Sequence, residues 1–229
     1  MQNKNPKVSV VMSTFNDELT IENSVKSILE QTYTNYEFLI MDDCSTDNTY
    51  KILEKFKESN NQIKIFKNKS NLGLTKSLNI LIQNSTGEYI VRQDADDISH
   101  KMRISIQIDT MLQNNLDFCS TRAYIMGTKK LIPGLSFYIP LKILIKYKNP
   151  IIHGSLVISK RVFENVGNYN ESYYYAQDYE LIKRFIFRKL KYKIIKKPLY
   201  VLNMKNNISN KFLDQQNKYA NMAKKAKYL

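Results

Sequence analysis

The chain has no tryptophan, and its 229 residues include only two cysteines, two histidines, five prolines and six glycines. Each shortage removes a class of protein. Neither Cys44 nor Cys119 has a second cysteine at metal or disulfide spacing, so both read as packing residues from a reducing compartment. Two histidines, His100 and His153, are too few for a histidine-based zinc centre. No G-x-G-x-x-G follows a strand-like run and no Walker A loop is present, so any phosphate must be held by a metal and side chains rather than by a glycine cradle. No apolar run reaches the roughly 18 residues of a membrane span. The amino terminus, MQNKNPKVSVVMS, has no signal-peptide pattern, and the expected location is cytoplasmic.

Acidic residues are also scarce. Twenty-one Asp and Glu face 35 Lys and Arg, for a net charge of +14. Only six of the basic residues are Arg, the usual reader of bases, so nucleic acid is not an expected partner. Between Leu181 and Leu213 there are ten basic residues and no acid. The run from Lys183 to Lys197 (KRFIFRKLKYKIIKK) fits either contact with an anionic inner leaflet or a solvated basic helix and strand.

What the chain does have is alternation. Lys7 to Ser13 (KVSVVMS) is a continuous apolar run, as in a strand buried on both faces. Asp17 to Gln31 has a helical period with Ile21, Val25, Ile28 and Leu29 on one side, and Asp17 and Glu18 placed to suit the dipole. Tyr36 to Met41 is a second strand, ending at Asp42 and Asp43. A second helix has Ile52, Leu53 and Phe56 inward. Ile63 to Phe66 is a third strand, Leu74 to Asn84 a third helix, and Glu88 to Gln93 a fourth strand. Such alternation predicts an α/β fold, a mainly parallel sheet with helices on both faces and ligands at the carboxyl ends of the strands. Further on, helices are expected over Lys101 to Asn114, Leu141 to Tyr147 and Asp178 to Lys189. Strands are expected over Leu116 to Met126, Ser155 to Ser159 and Tyr192 to Leu202.

The fourth strand stops at Asp94, Ala95, Asp96 and Asp97. Three carboxylates in four residues after a buried strand are costly unless a cation joins them. Side chains two apart in an extended segment face the same way, so Asp94 and Asp96 can share one hard ion such as Mg²⁺ or Mn²⁺. An acidic turn capping the next helix is the alternative.

Six stretches occur in order: KVSVVMSTFN, FLIMDDCSTDNT, NLGLTKSLN, STGEYIVRQDADD, NPIIHGSLVISK and YYYAQDYELIKRF. Together they resemble the family 2 glycosyltransferases, from about Lys7 to about Tyr200. The resemblance implies a GT-A (Rossmann-like) fold. Residues 1–203 would form one domain, 1–97 a nucleotide-binding half and 98–203 an acceptor-binding half. Residues 204–229 would be a Lys-rich C-terminal helix or tail.

It further implies transfer of one sugar, with inversion, from a nucleotide diphosphate sugar to a glycan or polyprenyl-pyrophosphate-linked acceptor of a bacterial surface polysaccharide. By the same resemblance Ser13, Thr14, Phe15, Asp43, Lys76 and Asp94 contact the nucleotide. Asp43 suits a uracil N–H, which favours a UDP-sugar. Asp94 and Asp96 hold Mn²⁺ or Mg²⁺, Asp178 is the general base, and His153 and Gln177 lie on the substrate side. The processive, membrane-embedded branch carries Q-x-x-R-W, which this chain lacks. A sugar-nucleotide nucleotidyltransferase would need an N-terminal Gly-rich loop, which is not found. A non-catalytic basic module would bind without metal-dependent turnover.

Overall fold

The computed structural model describes residues 5–204 and 213–226. Its first half alternates as the sequence predicts: β1 (Val8–Thr14), α1 (Ile21–Leu29), β2 (Tyr36–Asp42), α2 (Thr49–Ser59), β3 (Ile63–Lys67), α3 (Leu74–Asn84) and β4 (Tyr89–Arg92). The second half adds β5 (Ile98–Ser99), α4 (Arg103–Asn114), β6 (Phe118–Ile125), β7 (Leu131–Ile132), α5 (Leu141–Leu144), β8 (Val157–Ser159), α6 (Lys160–Val166), α7 (Gln177–Phe187), β9 (Tyr192–Leu202) and α8 (Leu213–Lys225).

All strands join one sheet in the order β3-β2-β1-β4-β8-β6-β9-β5, with β7 paired to β6. β1 to β4 run parallel, and β6 pairs parallel with β9, while β8 and β5 run against their neighbours. The continuous apolar runs of β1 and β2 serve two layers at once. Val11, Leu39 and Met41 face α3 and α7, whereas Val8, Val10, Met12, Phe38 and Ile40 face α1 and α4. The parallel register sets Thr14 beside Asp42 and Val11 beside Arg92, which brings three carboxyl ends to one edge.

Three expectations change. Asp17 is not in the first helix, which starts at Ile21; its carboxylate accepts the Thr14 hydroxyl at 2.7 Å and the Phe15 N–H at 3.1 Å. Helix α6 lies where no separate helix is expected, because KRVFENV has only two inward residues, Val162 and Phe163. The basic run from Lys183 is not one surface. Lys183 is 5% exposed, and its ammonium donates to the Ala223, Lys224 and Ala226 carbonyls at 2.6–2.9 Å, closing the end of α8. Arg184 donates to the Val166, Gly167 and Asn168 carbonyls and pairs with Glu180 at 3.0 Å. The exposed basic residues that remain are Arg188, Lys189, Lys191 and Lys193, where β9 begins at the amino-terminal end of the sheet, and Lys196 and Lys197 further along that strand.

Of the expected Lys-rich tail, α8 is a packed helix. Tyr219 meets Tyr173 and Tyr175, and Ala223 is fully buried. Residues 205–212 and 227–229 of that tail lie outside the described residues. Replacing Lys183 with Met is expected to lower unfolding stability by about 2 kcal/mol, the worth of charged hydrogen bonds to buried carbonyls. Urea unfolding measures it; an unchanged midpoint would mean that α8 docks without this cap.

Candidate active site

Four strand ends and the start of α7 form the site. At its floor is Arg92, the last residue of β4 and 1% exposed. A buried guanidinium must use its donors. It bonds the Val11 carbonyl at 2.9 Å, pairs with Asp94 Oδ1 at 2.5 Å and reaches His153 Nε2 at 3.4 Å. The other contact of that nitrogen is the Tyr169 hydroxyl at 2.7 Å. Burial, and then the charge of Arg92, hold the His153 pKa well below its usual value. The ring is therefore neutral and accepts at Nε2, which leaves its proton on Nδ1. His153 is part of the scaffold under Asp94.

The acidic loop alternates as its sequence implies. Ala95 and Asp97 are buried; Asp94 and Asp96 are half-buried and reach the opening. Gln93 clamps the loop backbone, donating to the Asp94 and Asp97 carbonyls at 3.1 and 3.0 Å. Asp97 accepts the Asn203 N–H at 2.7 Å and hydrogen-bonds with Tyr200, so it ties β9 to the loop. The Tyr200 hydroxyl also accepts the Asp94 N–H at 3.1 Å.

Gly154 makes room for this. A Cβ there would stand 2.5 Å from Asp94 Oδ2 and collide with the Tyr200 hydroxyl. Gly154→Ala is expected to slow transfer roughly a hundredfold by displacing the Asp94 carboxylate, with the circular dichroism spectrum unchanged. Wild-type turnover would show that Asp94 tolerates the shift.

The remaining carboxylates crowd one another. Burial raises Asp96 to about 7, helped by the charges of Asp94 and Asp17. Asp17 is raised for the same reasons, by burial first and then by Asp47 and Asp94. Asp97 is raised well above the usual range by burial and by Asp94 and Asp96. A site that disfavours its own negative charge at neutral pH suits a cation. Among the described residues no three His, Cys, Asp or Glu side chains converge to enclose an ion. Asp94 Oδ2 and the Asp96 carboxylate offer two hard oxygens, which fits an ion that completes its shell with phosphate and water.

On the β1 and β2 side, Ser13 is half-buried, Thr14 is buried and Phe15 is 45% exposed at the rim. Asp43 is 2% exposed, and its N–H donates to the Thr14 carbonyl at 2.9 Å. Its Oδ1 accepts the Asn68 amide and the Leu72 N–H, and its Oδ2 accepts the Gly73 N–H. Three of about four acceptor positions are thus used to shape the β3–α3 loop. Gly73, at φ +84°, lies directly under Tyr174, which is 51% exposed. Lys76 is exposed on the first turn of α3, apart from the buried cluster.

Across the cleft, α7 opens after Ala176, held in a left-handed conformation at φ 53°. Gln177 is buried and Asp178 is half-buried. Burial raises the Asp178 pKa, and the charge of Asp94 raises it further, against hydrogen bonds from the Tyr179 N–H and the Asn149 amide. Asn149 donates to Asp178 Oδ2 at 2.8 Å, which helps to orient the carboxylate. Tyr173 and Tyr175 are packed against α8, so of the three tyrosines only Tyr174 faces out.

The profile of glycosyl transferase family 2 matches residues 9–191. The chain belongs to this family. An uncharacterized glycosyltransferase of Haemophilus influenzae is 33% identical over 193 residues, covering 76% of this chain and 58% of that protein. The UDP-Glc:alpha-D-GlcNAc-diphosphoundecaprenol beta-1,3-glucosyltransferase WfgD of Escherichia coli is 36% identical over 137 residues, covering 59% of this chain and 52% of WfgD. The chain thus spans little more than half the length of these relatives. Among solved structures, the mannosyltransferase PcManGT of Pyrobaculum calidifontis, in complex with GDP-Man and Mn²⁺, superposes with a TM-score of 0.77 at 19% identity, covering 98% of this chain and 66% of that one. S. aureus TarS 1-349 in complex with UDP gives 0.75 at 18% identity, covering 95% of this chain and 65% of that one. The fold is GT-A, a mixed and mainly parallel sheet flanked by helices.

Within this family 2 chain the charge of Asp94 is felt at both Asp96 and Asp178, and Arg92 links Asp94 to His153. The structure adds Arg92, Gly154, Asn149, Asp17, Tyr169 and Tyr200, which sequence reasoning passed over. Arg92 had one legible signal: a charged residue in an apolar strand, two places before an aspartate on the same face.

Proposed function

We propose that the chain transfers one sugar, with inversion, from a nucleotide diphosphate sugar to a glycan or polyprenyl-pyrophosphate-linked acceptor in bacterial surface polysaccharide synthesis. The observation that supports this reading is that Asp94 and Asp96 share the loop after β4 and Asp178 lies in the first turn of α7, near enough for the charge of Asp94 to be felt at Asp178. A donor lying over the strand ends would have its diphosphate at Asp94 and Asp96, with Asp178 on the acceptor side. Mn²⁺ or Mg²⁺, when bound there, would neutralise the leaving diphosphate as a Lewis acid.

The protein's own groups do the rest. Arg92 fixes Asp94 Oδ1 and leaves Oδ2 available. Asn149 holds the Asp178 carboxylate in place, and the raised pKa makes Asp178 a better proton acceptor. The acceptor position that remains on Asp43 would take a pyrimidine N–H, which favours a UDP-sugar; WfgD, named for its use of UDP-Glc, accords with this choice. Ser13, Thr14 and Phe15 border the nucleoside. Lys76 is placed to meet the diphosphate only from the rim.

A cytoplasmic enzyme in peripheral contact with the inner leaflet fits such an acceptor. No helix among the described residues is long and apolar enough to cross a membrane. The test is a thermal-shift panel of UDP, GDP, CDP and dTDP, each with Mn²⁺ and with EDTA. One nucleotide should raise the melting temperature with metal alone. The proposal fails if none does, or if EDTA leaves the shift intact.

A further inference from the structure

From Phe118 to Phe163 the chain has no acidic residue. Within that span, residues 135–148 form an arm packed against α7. Leu141, Leu144 and Ile145 turn inward and are buried, and the Tyr179 hydroxyl donates to the Ile145 carbonyl at 2.8 Å, fastening the arm to α7. The outer side is unlike an ordinary soluble surface. Leu135 is 88% exposed, Tyr138 67%, Ile139 45%, Ile143 53% and Tyr147 68%. Ile143 and Tyr147 lie one turn apart on α5 and the turn that continues it, while Ile139 precedes them in extended backbone. Lys142, Lys146 and Lys148 are exposed among them. Scattered apolar side chains need no explanation, but a contiguous group of this kind marks a contact surface.

We propose that the outer side of residues 135–148 is a membrane-docking face that seats the protein on an anionic lipid surface. The occupant follows from the chemistry. Tyrosine and aliphatic side chains suit the headgroup boundary, and lysines can bury their stems while the ammonium reaches lipid phosphate. Each lysine near an anionic leaflet strengthens binding roughly fivefold. A protein partner of that surface would have to be acidic and apolar at once.

The position fits as well. Asn149, the residue that orients Asp178, directly follows Lys148, so the docked arm would hold Asp178 at headgroup level, where a lipid-linked acceptor presents its sugar. That last step rests on the function proposed above; the membrane contact itself does not. By contrast, Arg188 to Lys193 lie at the far end of the sheet, and docking there would turn the cleft away from the lipid.

The test is co-sedimentation with phosphatidylcholine vesicles, with and without phosphatidylglycerol. The wild-type chain should sediment only with the anionic vesicles. Leu135→Ser, Ile143→Ser and Tyr147→Ser together should weaken that binding at least roughly tenfold. Lys191→Gln with Lys193→Gln should leave it near wild type. The proposal is overturned if the wild type ignores anionic vesicles, if the triple variant binds as well as the wild type, or if the face instead pairs two copies, seen as a dimer that the triple variant splits without any vesicle binding. Mn²⁺-dependent nucleotide stabilisation, measured on the same samples, keeps the two readings separate. If it persists while vesicle binding is absent, only the docking face falls. If it is absent while vesicles bind, the transferase reading falls and the docking face stands. It also confirms that the triple variant is folded.

Discussion

Replacing Asp178 with Asn is expected to lower the rate of sugar transfer by roughly a thousandfold, the worth of a positioned general base, with nucleoside diphosphate affinity unchanged. The substitution keeps the shape of the side chain. Its oxygen can still accept from the Asn149 amide, which now donates to Asp178 Oδ2 at 2.8 Å. What disappears is the proton acceptor facing the acceptor sugar. Because the folded pKa of Asp178 is raised by burial, the acidic limb of the wild-type rate profile should lie above the usual carboxylate range, with activity rising as the residue ionises. Initial rates against pH, together with nucleotide titrations of both proteins, check this. A variant that turns over like the wild type removes Asp178 from the chemistry.

The second large effect is expected at Asp96. Asp96→Asn takes away one of the two oxygen ligands proposed for the ion, and metal activation should weaken by roughly a hundredfold or more, beyond what loss of a mere supporting contact costs. The same change should alter the response of stability to pH. In the folded protein without metal Asp96 keeps its proton up to about 7, while the unfolded chain releases it near the ordinary aspartate value of 3.8. Between those values the folded state binds more protons, so stability is highest below about pH 4 and falls as pH rises to about 7. Asn at position 96 should remove that part of the slope, and Mn²⁺ should offset it in the wild type by favouring the ionised carboxylate. Melting curves from pH 4 to 8, with and without Mn²⁺, report both. Unchanged metal dependence in the variant would mean that the ion is held elsewhere.

Much of this was legible from spacing alone. The runs VSVVMST and EFLIM required a sheet covered on both faces, and the D-x-D alternation required two carboxylates to share a side. Both depend on local geometry, which a sequence carries directly. The parts that were not legible depend on partners far along the chain. Lys183 looked like one cation in a basic run, yet the carbonyls it caps are some forty residues away. Asp17 suited a helix start until Thr14 and Phe15 claimed its carboxylate. Gly154 reads as an ordinary loop glycine. Its requirement comes from Asp94 and Tyr200, which approach from two other elements. The neutral state of His153 is set by its own burial and then by the charge of Arg92, neither of which its loop sequence shows.

The central claim is that Asp94 and Asp96 jointly hold a divalent ion against a nucleoside diphosphate. The most direct test is a crystal grown with Mn²⁺ and the nucleotide that stabilises the protein, with diffraction collected to locate manganese by its anomalous signal. The account predicts one strong peak within coordination distance of both the Asp94 and Asp96 carboxylates and of the diphosphate oxygens, with Asp178 across the cleft. A bound nucleotide with no manganese at these two residues would contradict it.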